Sequence, residues 1–243
     1  MALYENDDRL PSARWSPYGG GATVNAAEVQ SGFLNGVYRH MALGLAVTGL
    51  VAMWAASSHD AMALVAQHPF ILVIAQFGVV IALSGMINRM SALTATALFY
   101  SYSALTGLML SVLFFVYTRE SIATTFFVTG GTFAAVSAYG YITKRDLTGM
   151  GSFLMMGLIG LVIATVVNMF VASTFLTWIT TYIGVGIFVG LTAFDTQKLK
   201  LMAANIEPGE TAGKIAILGA LTLYLDFINL FIYLMRIFGR RRN

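Results

Sequence analysis

IAILGALTLYLDFINLFIYLMRIF, residues 215–238, is an apolar run broken by one acid. An α-helix rises about 1.5 Å per residue, so some 20 residues cross a hydrocarbon core of roughly 30 Å. The stretch therefore reads as a membrane span. Asp226 lies well inside it, eleven residues after Ile215 (226 − 215) and twelve before Phe238 (238 − 226). A carboxylate at such depth costs roughly 2.5–3.5 kcal/mol on insertion, so it needs a partner, a proton or water. At helical spacing Asp226, Asn229, Tyr233 and Arg236 share one face, with Thr222 one turn earlier. Phe227, Leu230, Phe231 and Leu234 fall mostly elsewhere. A polar stripe on a helix in lipid is expected to look into a bundle.

The rest of the chain agrees with a membrane setting. Of 243 residues 58% are hydrophobic and 10% charged, and the mean hydropathy is +0.76. Soluble domains average about 25% charged residues. Six more apolar runs read as helices over Tyr38–Ser57, Pro69–Asn88, Met90–Tyr117, Ser121–Thr143, Gly149–Ala172 and Phe175–Phe194. The expected fold is an all-α integral membrane protein, a seven-helix bundle forming one transmembrane domain over residues 38–238. Residues 1–37 read as a polar, disordered cytoplasmic tail, and residues 239–243 as a basic tail. The first 32 residues lack an apolar core followed by a small-residue cleavage site, so the first span is expected to direct insertion. Pro69 suits a first helical turn. Recurrent glycines, such as Gly184, Gly186 and Gly190, suit close helix packing.

Lys and Arg positions set the expected orientation. With seven crossings and the amino end inside, the inner side collects nine: Arg9, Arg14, Arg39, Arg89, Lys144, Arg145, Lys198, Lys200 and Lys214. The outer side collects five: Arg119, Arg236, Arg240, Arg241 and Arg242. A last segment that enters and returns would bring those four tail arginines inward, giving thirteen against one. Re-entrant backbone is tolerated only where protein or a wet cavity surrounds it. The loops favour a cytoplasmic amino end, and both six and seven crossings stay open.

A second acid, Asp195, closes the run FVGLTAFDTQKLK, residues 188–200. Alone it reads as an interfacial residue pairing with Lys198 one turn on. If its helix packs against the last one, Asp195 and Asp226 form a buried cluster. Two carboxylates sharing a site cannot both ionise cheaply, so the pair is expected to titrate jointly and to sense protons near neutral pH. Arg89 is the expected cation of that cluster, with Arg236 as the competing partner. Thr192, Thr222 and Asn229 extend the polar face, and the hydroxyl and amide oxygens with both carboxylates could serve calcium, which takes six to eight oxygens.

Other chemistry is sparse. The chain has no cysteine, which removes disulfides, thiolate nucleophiles and cysteine metal sites. His40, His59 and His68 sit at span edges without metal-ligand spacing and read as interfacial. The terminal GRRRN reads as a cytoplasmic anchor or a contact with anionic lipid, rather than a nucleic-acid site. No resident cofactor is expected, and no motif names a protein partner.

GLTAFDTQKLK, residues 190–200, LYLDFINLFIYLMR, residues 223–236, and the stretch from Tyr117 to Leu161 resemble the bacterial branch of the Bax inhibitor-1 family, also called the transmembrane Bax inhibitor motif family. The resemblance covers Tyr38 to Arg242. It implies a seven-helix protein with the last helix central, and a pH-dependent calcium leak. It also implies an aspartyl pair at Asp195 and Asp226, latched by Arg89. Eukaryotic members suppress cell death. This chain lacks the Gly-Pro that some members carry in the third span, and its tail is rich in arginine, not lysine.

The leading expectation is a passive, proton-gated cation pathway in a bacterial inner membrane, with calcium as the permeant ion. A non-catalytic membrane regulator acting through a protein partner is the alternative. An intramembrane aspartyl protease would also place two aspartates on neighbouring helices. Here LYL precedes Asp226 where such proteases resemble a Gly-rich turn, so the chain is read as a non-enzyme.

Overall fold

Apolar runs of this length bury their backbone hydrogen bonds best as helices, because lipid offers no partner for a free N–H or C=O. The computed structural model describes residues 26–206 and 209–242 and follows that rule. Its long helices are α1 (Ala26–Ser57), α3 (Pro69–Met86), α4 (Ala92–Leu110), α6 (Arg119–Ile142), α7 (Thr148–Val171), α8 (Thr174–Ala203) and α9 (Glu210–Phe238). Short α2 (His59–Gln67) lies between α1 and α3, and α5 (Leu113–Val116) continues α4 after a turn at Ser111 and Val112. A 3₁₀ turn over Ile87–Arg89 ends α3. Among the described residues seven segments are long and apolar enough to span a membrane.

Side-chain caps mark the helix starts. The hydroxyls of Ser58, Ser91, Thr118 and Ser173 each accept from a backbone N–H three residues on, satisfying one free donor of α2, α4, α6 and α8. Pro69 occupies the first turn of α3.

Three expected boundaries move. The first helix begins at Ala26, twelve residues before Tyr38 (38 − 26), so residues 26–37 are helical. Residues 1–25 of the expected tail lie outside the described residues, as do Glu207, Pro208 and Asn243. α8 continues past Phe194 through Lys198 and Lys200 to Ala203, and α9 starts at Glu210, before Ile215. In each case the helix outruns its apolar stretch, because hydropathy records where lipid ends, not where backbone bonding ends.

α9 is unlike the other spans. Of its most apolar window 67% is buried, against 11–33% for the rest. It packs on α1, α4, α6 and α8. Its 29 residues are one continuous helix, about 43 Å long at the α-helical rise. At its start Lys214 Nζ donates to the Met90 carbonyl at 3.3 Å, and Glu210 Oε1 accepts from Ala92 N at 3.3 Å. Beyond its end the tail binds the α5–α6 link: Thr118 N donates to Arg240 O at 3.0 Å, and Arg242 N to Val116 O at 2.9 Å. The start of α4 and the start of α6 are thus joined to opposite ends of α9. A returning segment is ruled out, and the tail arginines lie on the face opposite Lys214.

α6 brings its neighbours close with a stripe of small and hydroxyl side chains, Ser121, Thr125, Thr129, Ser137 and Gly140, all buried. At Gly140 an added Cβ would strike the Ala193 carbonyl oxygen, so α6 and α8 touch backbone to backbone there. That contact lies two residues from Asp195.

Candidate functional site

α8 and α9 run antiparallel. Tyr233 fills the space a Cβ would take at Gly184, and its ring stacks on Phe188 with centroids 5.8 Å apart. Nearer the other end, Leu199 packs into the gap at Gly219. Between these contacts lie Asp195 and Asp226, near enough for each carboxyl to act on the other. Asp195 is 9% exposed and Asp226 5%. Oδ2 of Asp226 is buried with no hydrogen-bond partner. An ionised carboxylate only accepts, so a hydrogen bond between the two would require a proton.

The surroundings sort the other expected residues. Thr192 is fully buried beside the pair and donates to Phe188 O at 2.7 Å. Thr222 donates to Leu218 O at 3.1 Å, and Asn229 Nδ2 to Leu225 O at 2.8 Å. All three bond back to their own helix, a common resort of short polar side chains in lipid. Both threonines keep oxygen lone pairs available.

Neither expected cation reaches the pair. Arg89 is exposed at the end of its 3₁₀ turn. Its neighbour Met90 lies against Lys214, which precedes Asp226 by twelve residues (226 − 214), about 18 Å along α9. Among the described residues no arginine is paired with either carboxyl, and the cation that acts on Asp195 is Lys198, one turn on. The latch at Arg89 is therefore not formed in this structure. Arg236 lies ten residues beyond Asp226 (236 − 226), about 15 Å away along the axis. It sits over the Tyr233 ring, 5.1 Å from its centroid, and is exposed. Among the described residues no three or more of His, Cys, Asp and Glu converge as metal ligands.

Several polar side chains escape a reading of single helices. Tyr38 Oη and Ser137 Oγ lie 2.6 Å apart, and Ser137 Oγ and Thr196 Oγ1 3.0 Å, linking α1, α6 and α8 next to the acid pair. Gln197 Oε1 accepts from Leu147 N at 2.9 Å, and its Nε2 donates to Arg145 O at 2.8 Å, so α8 holds the α6–α7 loop. Lys200 Nζ donates to Tyr141 O at 2.6 Å. On the far side of α9, the Tyr224 hydroxyl meets Thr48 Oγ1 at 2.6 Å. A groove of about 540 Å³, within the usual size range of binding clefts, is lined by Phe194, Gln197 and Lys198 on α8, one residue from Asp195. His40, read as interfacial, has Nδ1 2.9 Å from the Tyr100 hydroxyl.

Seven spanning helices enclosing a close pair of aspartates define a polytopic helical membrane protein with an acidic interior site. Comparison with known sequences narrows the class. The family described as "Inhibitor of apoptosis-promoting Bax1" matches residues 30–243. Inner membrane protein YbhL of Escherichia coli strain K12 is 56% identical over 211 residues, covering 85% of this chain and 90% of that one. An uncharacterized protein of Borreliella burgdorferi is 44% identical over 219 residues, with 88% and 94% covered. Uncharacterized protein YrjE of Lactococcus lactis is 36% identical over 213 residues, with 85% and 90% covered. The chain belongs to the Bax inhibitor-1 family.

Proposed function

We propose that the protein is a passive cation leak of the bacterial inner membrane, with calcium as its cargo, gated by a proton shared between Asp195 and Asp226. The observation that carries this reading is the nearness of two buried carboxyls, with Oδ2 of Asp226 left without a hydrogen-bond partner. With its proton the pair ties α8 to α9. Without it, two like charges face each other in a low-dielectric interior and push the helices apart. Conduction then rises as pH rises. The opened route runs along the face of Thr192, Thr222 and Asn229. The carboxylates and threonine oxygens, completed by water, supply the irregular oxygen shell that calcium accepts. The groove beside Phe194 and Lys198 is the approach from the Lys-rich face. That face, and with it the amino end, is cytoplasmic on the distribution of Lys and Arg.

The test is calcium flux into liposomes holding the purified protein, measured across pH for wild type, Asp195→Asn and Asp226→Asn. The reading expects pH-dependent flux that loses its pH dependence in both variants. Flux indifferent to pH, or unaltered by both substitutions, overturns it. Absence of flux together with a stoichiometric co-purifying protein would favour the regulator reading.

A further inference from the structure

A second feature lies on the other side of α9. A groove of about 780 Å³ opens between α1, the α4–α5 end, α6 and α9, within the size range of small-molecule clefts. Thr48 and Arg119 are the polar side chains in its lining, and the Thr48 hydroxyl is already engaged with Tyr224. Its floor is Phe227, Ile228 and Phe231, buried side chains of α9. The groove therefore cuts through the outer ring of helices and is more than surface relief.

Small residues hold it open. Ala42, Ala46 and Gly49 repeat at i, i+4 and i+7 on one face of α1. A Cβ at Gly49 would meet nothing within 4 Å, so no packed neighbour requires the glycine. Along α1 the lining runs from Ala42 to Met53, eleven residues (53 − 42). That is about 16 Å of helix, matching one leaflet's share, about 15 Å, of the hydrocarbon core.

One end of this apolar length is cationic. Arg119 lines the groove there. The carboxyl tail is tied to the α5–α6 link by its bonds to Val116 and Thr118, and Arg242 shares a recess there with Arg119 and Glu120. We propose that the groove takes an acyl chain of an anionic membrane phospholipid, whose phosphate is held by Arg119 and Arg242. The length and dryness of the walls select hydrocarbon. An extended peptide laid there would leave most of its backbone N–H and C=O groups without partners. Guanidinium pairs with phosphate through two parallel hydrogen bonds, and two arginines favour a head whose phosphate charge no ammonium offsets.

Native mass spectrometry of the full chain tests this, titrating phosphatidylglycerol and phosphatidylethanolamine with matched acyl chains. Phosphatidylglycerol is expected to bind about tenfold more tightly, because the ammonium of phosphatidylethanolamine is repelled by the same arginines. Arg119→Gln is expected to reduce that preference, and Gly49→Leu to weaken retention of both lipids. Ala46→Leu fills the same space and serves as the independent variant. Glycerol phosphate, a head without tails, is expected not to bind. Equal retention of the two lipids, or phosphatidylglycerol binding untouched by Arg119→Gln or by both leucine variants, overturns the proposal. So does binding of glycerol phosphate alone, or a protein dimer that Gly49→Leu dissociates.

Discussion

Gly140→Ala adds one methyl group where α6 and α8 meet, and its consequences follow from what stands opposite. The new Cβ would collide with the carbonyl oxygen and Cα of Ala193, which are backbone atoms and cannot rotate aside. The helices must separate. Overpacking of this kind costs about 1–3 kcal/mol. Separation also stretches the Ser137–Thr196 and Lys200–Tyr141 bonds between the same helices, each worth about 0.6 kcal/mol in a membrane interior. Alanine's better helix propensity returns about 1 kcal/mol. The net expectation is a loss of about 1–3 kcal/mol. Gly130→Ala, on the same helix, is the control: its Cβ would meet nothing within 4 Å, so propensity alone predicts a gain of about 0.5–1 kcal/mol. Equilibrium unfolding in bicelles compares the two. Equal stability of the variants would refute the close contact beside Asp195.

Other perturbations probe the polar contacts between helices. The Thr48 hydroxyl faces the carbonyls of Gly44 and Ser103, both at 2.9 Å, so its single proton goes to them and Tyr224 is the donor to Thr48. Tyr224→Phe should cost about 0.5–1.5 kcal/mol in the same unfolding assay, and no loss would contradict that donor assignment. Gln197→Leu removes both bonds to the α6–α7 loop, and hydrogen exchange at Leu147 N–H should speed up while exchange in α9 stays unchanged. Asp146 precedes α7, and the hydroxyl and N–H of Thr148 hold its carboxyl below the usual value of 3.8. Its folded-state value is depressed, so its contribution to stability is present above the unfolded value and fades as pH falls through the folded one. The stability gap between wild type and Asp146→Ala should therefore close on acidification below about pH 4; a gap constant with pH would refute the bond.

Different parts of the molecule were legible for different reasons. Asp226 stands out because one acid interrupts a long apolar run, and its face could be drawn from helical spacing alone. Asp195 is harder: at the end of an apolar run it looks like any interfacial acid. Only the motif around it, set beside the one around Asp226, suggested that the two meet. Arg89 shows the limit. Its position in the chain said that it lies at a membrane edge, but not whether it would be buried with the pair, and at the end of the turn after α3 it is exposed. The link from Tyr38 through Ser137 to Thr196 draws on three helices. No periodicity within one helix tells which residue of another it will touch. Helix ends failed for a simpler cause, since the polar turns of α1, α8 and α9 stay helical outside the apolar stretch.

The most direct measurement is infrared difference spectroscopy of the protonated carboxyl group in reconstituted protein, followed across pH alongside calcium flux. One protonated carboxyl should be visible below the gating transition, vanish as flux rises, and be altered in both Asp195→Asn and Asp226→Asn. A spectrum in which both acids are ionised throughout, or in which the protonated signal persists while flux rises, would contradict a shared proton as the gate.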